Sequence, residues 1–262
     1  MSVEKERQGR YLLSLDILGF TQLVSDKDTS EIYAVINNAL ESFNYWESVN
    51  PRFRMIYFSD TFVFYQHQRC YASAYFSDAY AIGSMVLSAL LAKGIPARGT
   101  ISFGEFEVNF DSSGKHQIYF GRAFIEAFLA EKRENWIGIT ILKSAWLPFE
   151  TEDPGRLVAY ERERVWIKRD DDVLLLNPFR QLSSLHFSYS IGEITTPYTE
   201  YNVPMFQNDV IGFKFLRDTA EHYAKIGDFS SRTATKYHAT IAFLKHILGH
   251  DIYEWGIRLS ES

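Results

Sequence analysis

A carboxylate lies inside a run of residues that otherwise belongs in a protein interior. Tyr11 to Leu18 (YLLSLDIL) is short and almost continuously apolar, the pattern of a central strand buried on both faces. Asp16 sits near its end. A buried carboxylate is costly unless it is paired or bound to a cation, so the chain must build a polar site at the edge of a sheet. The alternative is that Asp16 only caps the turn through its own backbone. The Gly19–Phe20–Thr21 turn follows directly, with backbone N–H groups free to meet anionic oxygens.

A second carboxylate narrows the choice. Phe53–Phe58 and Thr61–Tyr65 are two β-rich runs separated only by Ser59–Asp60, the signature of a tight hairpin. The remaining segments read as a helix from Thr29 closed near Pro51, and a second from about Cys70 to Lys93 ending at Gly94. Strands follow at Ala97–Phe103, Glu105–Phe110 and Gln117–Phe120. A third helix spans Gly121–Arg133 with Ile125, Phe128 and Leu129 on its inner face, and Ile137–Leu142 is a further strand. This order predicts an α+β fold of the ferredoxin-like, split-βαβ kind: a central antiparallel sheet backed by helices on one face. In that topology the end of the first strand and the hairpin turn meet at one edge. Asp16 and Asp60 would converge there as two hard oxygen ligands, suited to Mg²⁺ or Mn²⁺ bridging a triphosphate. A plain turn aspartate is the simpler reading of Asp60 alone.

After about Pro148 the texture changes. Short strand candidates surround Val158, Val165–Ile167 and Val173–Leu176, a polar aromatic stretch runs to about Asn208, and helices cover about Val210–Lys225 and Arg232–Leu248. The aromatic content of this tail is that of a packing surface, so the expected organisation is a catalytic core at 1–148 and an extension at 149–262 that packs on the core or on a second subunit.

Bulk properties exclude several classes. The 262 residues are 46% hydrophobic and 23% charged, ordinary values for a chain that folds around a core. The net charge of −6 argues against non-specific nucleic-acid binding or an anionic membrane surface. The single cysteine, Cys70, allows no internal disulfide. No apolar run approaches the roughly 20 residues of a membrane span, and the charged start MSVEKERQGR leads straight into a strand, so the expected location is cytoplasmic. The seven histidines show no metal-ligand spacing; His246 and His250, an i,i+4 pair, lack the glutamate of a zincin pattern.

Four segments, in order, carry a resemblance. LDILGFTQLV (15–24) resembles the first metal motif of class III nucleotidyl cyclases, and FSDTFVFY (58–65) resembles their second metal-aspartate hairpin, with Ser59 where the family usually has glycine. ARGTISFGEF (97–106) is similar to their arginine strand, and YFGRAFIEAFLAEK (119–132) to the strand and helix that follow. The resemblance implies metal binding by Asp16 and Asp60, a backbone carbonyl ligand from Ile17, and a triphosphate contact from Arg98, whose plainer reading is a surface strand arginine. It also implies substrate contacts from Gly19, Phe20, Thr21 and Ser59. The purine-reading positions fall on Ile56 and Ile118, and those of the asparagine and arginine that steady ribose and transition state fall on Ile125 and Leu129.

The details DILGF, YFSD and GRAFIEA are most like the bacterial pyrimidine cyclases of Pycsar anti-phage systems. That resemblance implies conversion of UTP to 3′,5′-cyclic UMP in a cytoplasmic homodimer with sites at the interface, two Mn²⁺ or Mg²⁺ per site, and a separate effector that senses the product. Tyr57 would then contact the smaller base, although a core tyrosine is an equal reading. Phe20 and Phe58 either line the base or sugar pocket or belong to the core; Glu126, on the helix with Glu131, reads as a solvated residue. Cyclisation of CTP, a catalytically silent nucleotide-binding or dimerisation module, and, more weakly, purine use are the alternatives.

Overall fold

The computed structural model describes residues 8–49, 51–71, 75–110, 112, 113, 115, 117–190 and 204–261. Its elements in chain order are β1 (Gln8–Ile17), α1 (Phe20–Asp26), α2 (Thr29–Val49), β2 (Phe53–Phe58), β3 (Thr61–Gln66), β4 (Cys70–Tyr71) and α3 (Phe76–Ala92). Then come β5 (Ala97–Gly104), β6 (Glu107–Phe110), β7 (Gln117–Phe120), α4 (Arg122–Glu131), β8 (Gly138–Ile141), α5 (Lys143–Glu152) and α6 (Arg156–Arg162). The chain finishes with β9 (Trp166–Lys168), β10 (Leu174–Leu176), α7 (Arg180–Ser190), α8 (Pro204–Lys225) and α9 (Arg232–Glu261).

The main sheet runs β2-β3-β1-β5-β8-β10-β9, with β4 added against the start of β1 and β6-β7 forming a separate ribbon. All its pairings are antiparallel except β5 with β8. The mixed, mostly antiparallel sheet of the expected α+β fold is therefore present. The extension is not a separate layer: β9 and β10 continue the sheet beyond β8, and the expected boundary at 148 falls inside α5, where Pro148 lies.

β1 explains why both sheet faces are covered. Tyr11, Leu13, Leu15 and Ile17 point to one side and join the main core with Phe43 of α2 and Leu87 and Leu90 of α3. Leu12 points to the other and packs with Val63, Tyr65, Phe106, Ala123 and Ala127. The period of two in a strand assigns each set to its face. Helices thus lie on both faces, not on one as the split-βαβ pattern suggested. α2 and α3 cover the first; α4 covers the second.

The register of α4 also differs from expectation. Ala123, Ala127 and Glu131 face the sheet, whereas Ile125, Phe128 and Leu129 are exposed by 57%, 39% and 50%. The small Ala123 and Ala127 let the helix lie close to β1 and β5, leaving its large apolar residues outward. Residues 156–162 around Val158 form α6 instead of a strand. The helix expected from Cys70 starts at Phe76, because Cys70–Tyr71 pairs with Gln8–Gly9.

In the extension, α8 lies along α3, and Asp209 fixes the junction. Its carboxylate accepts hydrogen bonds from Ser88 Oγ (2.6 Å) and from the backbone N–H groups of Gln181 (2.8 Å) and Leu182 (3.1 Å). It therefore caps the first turn of α7 from another helix. Each such donor left unpaired in the interior costs about 1–3 kcal/mol.

Candidate functional site

The hairpin sets the geometry of the sheet edge. Phe58 pairs with Thr61, leaving Ser59–Asp60 as a two-residue turn. Ser59 has φ +58°, the left-handed region that favours glycine at the first position of such turns. The turn is fastened to β1 by the Ile17 N–H, which donates to the Asp60 carbonyl at 2.8 Å. Leu18 N–H donates to Pro96 O at 2.8 Å on the other side. The end of β1 is thereby held between the hairpin and the start of β5.

Register brings Arg98 to Asp16, since Asp16 pairs with Thr61 of β3 and with Arg98 of β5. Gly99 permits this approach: a Cβ there would lie 2.5 Å from Ser14 O. Arg98 is only 9% exposed. Its Nη2 donates to Asp16 Oδ2 over a long 3.4 Å and its Nη1 to Glu134 O at 3.2 Å. Its Nε is buried without a hydrogen-bond acceptor, 3.7 Å from Glu131 Oε1. The Arg98 guanidinium is thus loosely held, with donor capacity left for an anion.

Glu131, 3% exposed, completes a cluster on this face and accepts a hydrogen bond from Ser14 Oγ at 3.0 Å. Burial, then the neighbouring Asp16 charge, pushes its carboxyl up to about 7, against the opposing pull of Ser14 and Arg98. Asp16 is also raised, by burial first; Arg98 opposes the rise and Asp60 adds to it. Asp16 is thus the carboxylate that feels Asp60 on one side and acts on Glu131 on the other. Among the described residues no group of three or more His, Cys, Asp or Glu side chains forms a metal cage. Two carboxylates with an under-satisfied guanidinium still fit divalent ions whose remaining ligands come from backbone, water and phosphate, as hard cations bound with nucleotides require.

α9 reaches the same cluster from the extension. Ile137 N–H donates to Thr240 Oγ1 at 2.8 Å, and Trp136 packs edge-on against Phe243 at 4.8 Å, pinning α9 to the loop before β8. One turn earlier, Lys236 is half-buried. Its ammonium pKa is lowered by burial, then by Arg98 and Arg232, while Asp16 opposes the shift. Glu134 anchors the intervening loop through two bonds from Arg169, at 2.9 and 2.7 Å.

The other sequence candidates divide by face. Ile56 and Phe58 lie on the Asp16 face beside an apolar groove of about 380 Å³, lined also by Phe106, Tyr119 and Phe128. Phe58 is 81% exposed and belongs to no core. Tyr57 stacks on Phe62 at 4.5 Å on the opposite face; burial, and then the Asp60 charge, raises its phenol pKa. Gly19, Thr21 and Ser59 are exposed and Phe20 is half-buried. The first bond of α1 runs from Leu23 N–H to Gly19 O, so the preceding amides have no partner within the helix. Glu126 is exposed.

Ser14, Glu131 and Lys236 are residues that sequence reasoning did not place here. The Ser14-x-Asp16 alternation marked Ser14's face, and the Ala123–Ala127–Glu131 spacing marked that of Glu131. Nothing local marked Lys236.

Solved structures supply a likeness for the fold. The guanylyl cyclase domain of the RhoGC fusion protein from the aquatic fungus Blastocladiella emersonii, as a monomeric double mutant, is similar with a TM-score of 0.50 and 14% identity, over 66% of this chain and 96% of that domain. The fold is that of a nucleotidyl cyclase domain. The guanylate cyclase domain of RhGC from Catenaria anguillulae, in complex with GTP, has a TM-score of 0.46 and 15% identity, covering 55% of this chain and 84% of that one. The guanylyl cyclase Cya2 gives 0.46 and 15%, covering 64% and 89%. No family model and no curated protein matches the sequence. The cyclase-type sheet carries Asp16, Asp60 and Arg98 at one edge and adds a helical C-terminal extension. Among the described residues no helix is long and apolar enough to cross a membrane.

Proposed function

We propose that the chain is a nucleotidyl cyclase that converts a pyrimidine nucleoside triphosphate, UTP in first place, to its 3′,5′-cyclic monophosphate and pyrophosphate. The observation that carries this is the convergence of Asp16 and Asp60 at one sheet edge, with the loosely held Arg98 beside them. Two Mn²⁺ or Mg²⁺ ions held by Asp16, Asp60 and the Ile17 carbonyl would supply Lewis-acid activation of the ribose 3′-hydroxyl and neutralise phosphate charge. Arg98, with the Gly19–Thr21 amides and Ser59, would hold the β- and γ-phosphates while the 3′-oxygen attacks the α-phosphorus and pyrophosphate leaves. Arg98 Nε has no hydrogen bond to Glu131, 3.7 Å away, so the guanidinium keeps donors for phosphate. Lys236 brings a further cation to the cluster from α9.

The base preference rests on apolar side chains where the resembling cyclases read purines. Ile56 lines the groove beside the hairpin, and Ile118 is 46% exposed; neither offers a hydrogen bond to a purine edge. Tyr57 would meet the pyrimidine around the end of the hairpin. The exposed Ile118, Phe120, Ile125, Phe128 and Leu129 suit a homodimer whose interface frames the sites, an apolar patch a monomer rarely leaves bare. In this reading residues 1–148 form the catalytic core and 149–262 the extension, and the cyclic product acts as a phage-infection signal for a separate effector. CTP is the alternative substrate. The absence of a cation at 125 and 129 favours a second reading, a silent nucleotide-binding or dimerisation module.

Incubating the pure protein with each of the four NTPs and Mn²⁺ and identifying products by mass tests the proposal. Cyclic UMP is the expected product. Cyclic CMP alone would move the assignment to CTP, cyclic AMP or GMP alone would overturn the pyrimidine reading, and no cyclic product would leave the silent module.

A further inference from the structure

The extension contains a cavity unrelated to the sheet edge. It encloses about 660 Å³ between the end of α6, the first turns of α7 and the break in α9, within the size range of small-molecule sites. Arg162, Arg164 and Arg180 line it. Among the described residues none of the three forms an ion pair, in a chain whose net charge is −6. Glu163 and Asp251 line the same cavity, but among the described residues neither forms an ion pair with these arginines, so the guanidinium groups keep donors for an anion.

Arg164 is the most constrained. Its backbone has φ +59°, unusual for a residue with a long side chain. Its Nη1 is buried with no hydrogen-bond acceptor, a state that calls for an explanation in a native protein. α9 is broken to make room for it. Gly249 has φ +68° and ψ 171°, and a Cβ there would lie 2.9 Å from Arg164 Nη1. Gly249 thus seats the Arg164 guanidinium against the break in α9, at one wall of the cavity, with backbone strain and an unpaired donor. Ser184 adds a hydroxyl, and Glu163 and Asp251 add two acceptors at the same wall.

We infer that this cavity is a second ligand site, for a phosphate monoester carried on a hydroxyl-bearing small molecule such as a nucleoside monophosphate or a sugar phosphate. The arginines match phosphate oxygens in the two-point geometry that guanidinium groups favour. Glu163 and Asp251 would repel a bare phosphate but accept hydrogen bonds from sugar hydroxyls, so the ligand carries both. The site shares no residue with the Asp16–Asp60 edge and stands whether or not that edge cyclises nucleotides.

The test is calorimetric titration of the full chain with UMP, AMP, ribose 5-phosphate and inorganic phosphate. Saturable binding of the sugar-bearing probes, tighter than that of inorganic phosphate, is expected. UMP and AMP binding without ribose 5-phosphate would assign a nucleotide; binding of all three would assign the phosphorylated sugar. Arg164→Gln, Arg162→Gln and Gly249→Ala should each weaken binding by at least about tenfold, the scale of one lost charge-assisted contact, and Asp60→Ala should leave it unchanged. Arg162 is exposed, so its replacement tests the site even if Arg164→Gln fails to fold. No saturable binding, unaltered binding in Arg162→Gln, or binding abolished by Asp60→Ala would each overturn the inference.

Discussion

Replacing Glu131 with glutamine should flatten the pH dependence of stability in a defined window. Glu131 is buried between Ser14, Arg98 and Asp16, and its carboxyl is pushed from 4.5 to about 7. An acid whose pKa is higher folded than unfolded binds its proton more tightly in the native state. Its contribution is fully present below about 4.5 and is lost as pH rises through about 7. At about 1.36 kcal/mol per pH unit, the loss between pH 5 and pH 8 is about 2–3 kcal/mol. Glutamine keeps the acceptor for Ser14 Oγ and never ionises, so this component vanishes. Urea unfolding of wild type and Glu131→Gln at both pH values, at fixed protein concentration, measures it, because the pH-independent cost of the swap cancels. Wild type should lose about 2–3 kcal/mol more than the variant on going from pH 5 to pH 8. Parallel pH profiles would refute the assignment of a buried, protonated Glu131 beside Arg98.

Three other substitutions probe the remaining parts. Tyr57→Phe should raise KM for UTP about three- to tenfold, the worth of one hydrogen bond, with KM for ATP unmoved; an unchanged UTP KM would place base recognition in the Ile56–Phe58 groove on the other face. Lys236→Gln should raise KM by about tenfold through loss of a partly screened phosphate interaction, and the effect should shrink in high salt. Leu129→Asp puts a charge on the exposed face of α4; sedimentation velocity should show the dimer dissociating by at least about a hundredfold, while thermal unfolding shows each protomer folded.

The parts of the molecule legible in the sequence are those whose signals are local. YLLSLDIL announced a central strand because a strand covered on both faces needs no alternation, and Ser59–Asp60 announced a hairpin because two residues leave no room for anything else. The α4 register was misread for a physical reason. Its sheet-facing side is made of alanines and one glutamate, and its large apolar residues face outward, so an argument from size alone chose the wrong side. β9 and β10 joined the sheet through pairings set by β8, which no local periodicity reveals. Lys236 comes within electrostatic range of Asp16 on a helix that Thr240 ties to Ile137, a long-range contact with no local signal. Arg98 was legible as a strand arginine, but its facing Asp16 is a matter of register.

The most direct test of the account is product formation from UTP with Mn²⁺ by wild type and by Asp60→Asn, followed by mass and with the fold of both checked by circular dichroism. The account predicts cyclic UMP and pyrophosphate from wild type, and a loss of at least about a hundredfold in the variant with its fold intact. A folded Asp60→Asn protein that forms cyclic UMP as fast as wild type would contradict it.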